Sequence, residues 1–211
     1  MNKKLLIVSS DNSHKIAEIK SILKDLPITV LSKTEAGCGD IEVIEDGDTL
    51  EENATKKAVE IAKRANGIVI ADDTGLFVDR LNGEPGVYSA RYSGENATYI
   101  SNNQKLLKKL EGVPLEDRTA KFKTIIAIVL EDKSVKLVSG ECTGQIGFEP
   151  KGENGFGYDP LFIVDGYGKT FAELGEEIKN TISHRANALK ELKKELKILL
   201  EDEYNENSNN K

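Results

Sequence analysis

"GIVIADDTGLFVD", residues 67–79, decides how the fold is read. Ile68 to Ala71 make a short buried strand, and the run then meets two adjacent carboxylates, Asp72 and Asp73. No Lys or Arg stands in the five residues that follow. In α/β sheets, ligands gather outside the carboxyl ends of strands. The expectation is therefore a strand that ends at Ala71 with the aspartates at its mouth. Two carboxylates there can bind a hard cation through oxygen, or one can act as general base. "DDTG" also reads as an Asx-turn, in which one Asp caps and the second still needs a partner.

Outward from this stretch, strands alternate with helices. Lys3 to Ser9 reads as a buried strand, followed by the polar loop "SSDNSHK". Apolar residues at 16, 19, 22, 23 and 26 form a helical stripe closed by Pro27, and Thr29 to Leu31 a short strand. Thr49 and Glu52 make a T-x-x-E capping box for a second helix, with Gly67 as its stop. Downstream, Leu76 to Leu81 alternates up to an "NG" turn, and Ile100 to Leu110 is a helix. Lys121 to Leu130 and Val135 to Gly140 flank "EDKS" as an antiparallel hairpin. A Gly-rich loop "KGENGFGYDP", a short strand Leu161 to Val164 and a long helix from Ser183 complete the chain. The pattern predicts an α/β fold with a mixed sheet flanked by helices. Residues 1–203 read as one domain and 204–211 as a disordered tail.

The chain has 211 residues, 38% hydrophobic and 31% charged, the balance of an ordinary globular protein. A net charge of -7 argues against duplex nucleic acid or an anionic membrane as partner, since both reward basic patches. A small anionic ligand needs only a few convergent cations. Cys38 and Cys142 are too few for a disulfide framework or a thiolate zinc site, and read as reduced thiols in a cytoplasmic protein. The N-terminal apolar run, Leu5 to Val8, is shorter than a signal-peptide core, and no stretch reaches the length of a membrane span.

Several residues could carry chemistry. Lys57 falls within the apolar stripe of its helix, where a lysine either snorkels to water or reaches a negative group. Asn53 lies one turn earlier, and Glu45 sits in the acidic loop "IEDGDTLEENA". "SSDNSHK" joins a strand to a helix, a place where backbone N–H groups hold phosphate, but it lacks the glycines of a Walker A loop. Phe156 and Tyr158 stand among glycines, suited to stack on a planar group or to plug the core edge. Lys179, His184 and Arg185 surround a helix start, where cations oppose the macrodipole unless an anion joins them.

As a set, "SSDNSHKIAEI", "ENATKKA", "ADDTGLFVDRLNGEPGVYSARYSG", "GFGYDPLF" and "KNTISHRANAL" resemble the inosine triphosphate pyrophosphatase family, over Leu5 to Leu192. The resemblance implies a long central mixed sheet with two lobes and an active-site cleft between them, in a homodimer. It implies hydrolysis of ITP, dITP and XTP to the monophosphate and pyrophosphate, with Mg²⁺, by an enzyme that clears deaminated purines. By position, Ser10, Asp11, Asn12, Ser13, His14 and Lys15 form the first phosphate- and substrate-binding loop. Glu45 and Asp73 hold the metal; Asp73 is the base and Asp72 its supporting neighbour. Lys57 faces phosphate and Thr74 contacts substrate. Phe156, Gly157, Tyr158 and Asp159 stack on and orient the base, and Lys179, His184 and Arg185 read the purine edge. His14 replaces the usual Gly or small residue, and Thr74 replaces Ser with its hydroxyl kept.

Two rival readings stand beside this one. A Maf-like pyrophosphatase acting on pyrimidines would share the metal chemistry, though "SHR" and "GFGYDP" disfavour it. A non-catalytic nucleotide binder would be expected to lack part of the set Lys15, Glu45, Lys57 and Asp73, all of which are present.

Overall fold

The computed structural model describes residues 3–209, without the side chains of residues 14 and 202–209. Seven strands form one mixed sheet in the order β2-β1-β3-β5-β6-β7, with β4 paired to β3. The chain divides into two compact units. One comprises residues 1–73, 125–139 and 188–211, the other residues 74–124 and 140–187.

The first unit is a parallel α/β layer. Strand β1 (Lys4–Val8) pairs in parallel with β2 (Ile28–Leu31) and with β3 (Ile68–Val78). Helix α1 (Ser13–Ile22) links β1 to β2, and α2 (Leu50–Ala62) leads from β2 to β3. Leu6, Val8, Ile68 and Ile70 share a core with Ile19 of α1 and Leu23 just after it, with Ile126 and Ile128 of β5 (Thr119–Val129), and with Leu189, Leu192 and Leu196 of α5 (His184–Asn209). Helix α2 buries Leu50, Ala54, Ala58 and Ile61. Its capping box is present as expected, Thr49 Oγ1 accepting from Glu52 N–H. The stop expected at Gly67 comes earlier, with Lys63 as C-cap.

The second unit packs α3 (Tyr99–Lys109), β4 (Pro85–Gly86), β7 (Phe162–Val164) and α4 (Phe171–Ile182) with parts of β3, β5 and β6 (Val135–Ile146). Its core is aromatic: Phe162 stacks on Phe171 with centroids 5.4 Å apart, and Phe122 lies 4.7 Å from Phe162. The β5–β6 turn closes through Leu130 N–H to Ser134 O at 2.9 Å.

Three expectations change. Strand β3 does not end at Ala71 but runs through Asp72, Asp73 and Thr74 to Val78, so no turn forms at "DDTG". A strand tolerates partly buried carboxylates where cations meet them, and lysines from two helices do so here. Helix α4 has no counterpart in the apolar stripes read above, although Thr170 and Glu173 form a capping box at its start. Helix α5 continues to Asn209, across most of the stretch expected to be a disordered tail. Extending a helix already docked on the core is easier than nucleating one. Residues 210 and 211 lie outside the described residues.

Candidate active site

In the first unit, the loop after β1 is organised by its own polar side chains. Asn12 Oδ1 accepts from Lys15 N–H at 3.2 Å, capping α1, and Ser10 Oγ accepts from Asn12 N–H at 3.1 Å. Asp11 accepts from Thr34 N–H at 2.8 Å, and that bond holds its carboxyl below the ordinary carboxylate value. Ser13 opens α1; the side chain of His14 lies outside the described residues.

Successive strand residues point to opposite faces, and this separates the aspartates. Lys15 on α1 reaches both oxygens of Asp72 at 2.8 Å. Lys57 on α2 lies 3.3 Å from Asp73 and 3.1 Å from Glu45. Helices α1 and α2 therefore occupy opposite faces of β3, each delivering an ammonium to one carboxylate. Lys57 does not snorkel; of its two readings, the charge-seeking one holds.

Burial raises the Asp73 carboxyl above its ordinary value, and the nearby Glu45 charge pushes the same way, against the Lys57 ammonium. Both carboxylates meet the Lys57 ammonium and present oxygen donors beside it. That donor chemistry fits a hard divalent cation, which takes carboxylate and water oxygens. Among the described residues, no group of three or more His, Cys, Asp or Glu is placed to hold a metal. Glu45 and Asp73 are the two carboxylates here that could hold such a cation.

The acidic loop is held to α2 at several points. Gly47 N–H donates to Asn53 Oδ1 at 2.9 Å, Asp48 N–H to Glu52 at 2.8 Å, and Lys56 pairs with Asp46. A Cβ at Gly47 would stand 2.8 Å from both Asn53 Oδ1 and Glu52 Cβ, so the approach requires glycine. Asn53 also stands near Asp73 and lowers its carboxyl, while its own buried Nδ2 makes no hydrogen bond among the described residues.

The second unit holds another polar cluster. Asp159, 2% exposed, pairs with Lys179 and accepts Phe156 N–H at 2.9 Å. A Cβ at Gly155, whose φ is +80°, would lie 2.2 Å from Asp159 Oδ2. The Lys179 ammonium stands 4.6 Å from the centroid of Phe156, whose ring is 54% exposed. Tyr158 is buried, its hydroxyl donating to Ser89 O at 2.9 Å. His184 is buried and stacks on Phe122 at 4.7 Å, with Arg185 next to it in the first turn of α5. Thr74 shares a 2.8 Å hydrogen bond with Thr124.

A family model described as the Ham1 family matches residues 6–195. The chain belongs to the Ham1 family. It is 53% identical over 197 residues to the dITP/XTP pyrophosphatase of Thermoanaerobacter sp. (strain X514), covering 93% of this chain and 98% of that protein. It is 48% identical over 188 residues to the dITP/XTP pyrophosphatase of Bacillus subtilis (strain 168), covering 89% and 94%. The Ham1 protein of Staphylococcus aureus superposes with a TM-score of 0.85 at 44% identity, covering 92% of this chain and 98% of that one.

Within this Ham1 chain the expected residues fall into two groups. Lys15, Glu45, Lys57, Asp72 and Asp73 lie in the first unit, and Thr74, Phe156 to Asp159, Lys179, His184 and Arg185 in the second. Two placements differ from expectation. Tyr158 belongs to the core, leaving Phe156 as the exposed ring of the loop. Lys179 sits in the last turn of α4, where a cation suits the macrodipole, rather than at a helix start. Sequence reading passed over the parts played by Asn53, Asn103 and Thr124. Asn53, a polar residue beside the buried Ala54, carried a faint signal; the other two carried none.

Proposed function

We propose that this chain hydrolyses the non-canonical purine nucleoside triphosphates ITP, dITP and XTP to the monophosphate and pyrophosphate, and so clears deaminated purines from the nucleotide pool. The observation that carries the reading is the Lys57 ammonium standing within 3.3 Å of both the Glu45 and Asp73 carboxylates. The homologues' names support the substrate class.

Glu45 and Asp73 would hold Mg²⁺, which when bound offsets the charge of the triphosphate and orients it. Lys15 and Lys57 supply fixed positive charge for the departing pyrophosphate. By its place in the family motif, Asp73 would orient the attacking water and take its proton. Asp72, held through both oxygens, positions Lys15. The exposed ring of Phe156 stacks on the purine. A donor to O6, from Arg185 or a backbone N–H, would disfavour adenine by setting donor against donor. A homodimer, drawn from the family resemblance, and a cytoplasmic setting, drawn from the two isolated cysteines, complete the proposal.

The test is pyrophosphate release from ITP, dITP, XTP, ATP, GTP, UTP and dTTP, with and without Mg²⁺. Mg²⁺-dependent release from the first three at rates well above the others is expected. Preference for UTP or dTTP would favour the Maf-like reading, and no release at all would favour a nucleotide binder.

A further inference from the structure

Phe156 is an exposed ring on a loop rich in glycine, and such a loop does not by itself hold a ring in one plane. A stacking residue that wanders loses affinity, because ordering it falls on the binding step. The structure shows what steadies it. Asn103, 9% exposed, donates from Nδ2 to Gly157 O at 3.0 Å, gripping the backbone next to Phe156. Tyr99, four residues earlier on α3, lies with its ring centroid 6.2 Å from that of Phe156, the planes inclined by 38°. Residues at i and i+4 share one face of a helix, so α3 meets the loop at two adjacent residues. The helix that carries them is itself anchored by the Thr98–Ser101 capping box and by Leu106 and Leu110 in the core.

We propose that Tyr99 and Asn103 are positioning residues, through which α3 sets the orientation of Phe156 and thereby the affinity for the purine base. The inference rests on the function proposed above and adds two residues outside the motifs that carry the family resemblance. Neither side chain is assigned to the reacting atoms. Their loss therefore weakens base binding while leaving the hydrolytic step in place.

The experiment compares KM and kcat for ITP with the inhibition constant of inorganic tripolyphosphate, a probe that has no base. Tyr99→Ala is expected to raise KM about fivefold, the size of a lost aromatic contact. Asn103→Asp, which sets an oxygen against the Gly157 carbonyl, is expected to raise it about tenfold. Both keep kcat within about twofold and leave tripolyphosphate inhibition unchanged, as expected of uniform binding lost at the base alone. Tyr99→Phe restores the KM that Tyr99→Ala loses. Asn103→Leu serves as a second variant should Asn103→Asp fold poorly, with thermal melts run on each. Unchanged KM in both positions overturns the inference, as does a parallel rise in KM and in the tripolyphosphate inhibition constant, which marks general loosening. A wild-type chain inactive on ITP overturns the underlying function instead, and is distinguished by that.

Discussion

The two polar clusters of this chain use the same chemistry to opposite ends. In the second unit, Asp159 has one ammonium, Lys179, and one backbone donor, the N–H of Phe156. In the first, the Lys57 ammonium meets both Asp73 and Glu45, and burial lifts the Asp73 carboxyl. A buried carboxylate matched one to one, with its hydrogen bonds made, locks a loop. A carboxyl raised by burial and by a neighbouring carboxylate, as at Asp73, suits a site that takes a ligand, at a cost to the empty fold. Strain of this kind gathers where proteins act rather than where they are merely held together.

One substitution, Asp→Asn, tests this contrast at both places. Asp73→Asn should lower turnover about a thousandfold while nucleotide still binds, because the proton acceptor and a metal ligand go together. Pyrophosphate release and equilibrium binding of ITP measure the two halves; near-normal turnover would remove Asp73 from the chemistry. Asp159→Asn should destabilise the fold by about 3 kcal/mol, since the Lys179 charge stays buried without its carboxylate. Urea unfolding reads this, and an unchanged midpoint would show that the pair is dispensable.

Asn53→Ala should cost about 1–2 kcal/mol in stability by freeing the Gly47 N–H. It should also weaken Mg²⁺ binding, read by calorimetry without nucleotide, because the Glu45 loop loses its tie to α2. Equal Mg²⁺ affinity in variant and wild type would reduce Asn53 to scaffold.

The smallest effect carries the sharpest sign. The Asp73 carboxyl is raised above 3.8, so between that value and its folded value the folded state binds more protons than the unfolded. Stability from this group is therefore lost as pH rises through the folded value. In metal-free buffer, Asp73→Asn should melt higher than wild type at neutral pH, with the gain shrinking as pH falls toward 3.8. Asp159→Asn should melt lower throughout. Melting shifts of the same sign for both variants would erase the distinction between the clusters.

Much of this was legible in the residues. The Thr49–Glu52 box, the stripe of α2 and the hairpin around residues 131–134 are local, and local periodicity and capping chemistry report them directly. The route of β3 was not. A strand that looked finished at Ala71 continues, because the cations that make its aspartates tolerable stand 57 and 16 residues away in sequence. Tyr158, left open between a stacking surface and the core edge, could not be placed for a related reason. The glycines that precede it suggest exposure, yet its hydroxyl meets Ser89 O, 69 residues distant, and the ring fills the second core. Asn103 could not be seen at all, since an asparagine on a helix shows no partner until the helix is docked.

By itself the sequence determined the alternation of strands and helices, the capped starts of α2 and its stripe, and the family whose motifs run through the chain. These depend on neighbours within a turn or two, or on motif identity. Tertiary structure decided which carboxylate meets which lysine, and so which of two adjacent aspartates is held through both oxygens and which shares its lysine with Glu45. That choice follows from strand alternation combined with helices on opposite faces. The period of a strand is written in sequence, but the faces the helices cover exist only once the sheet has formed.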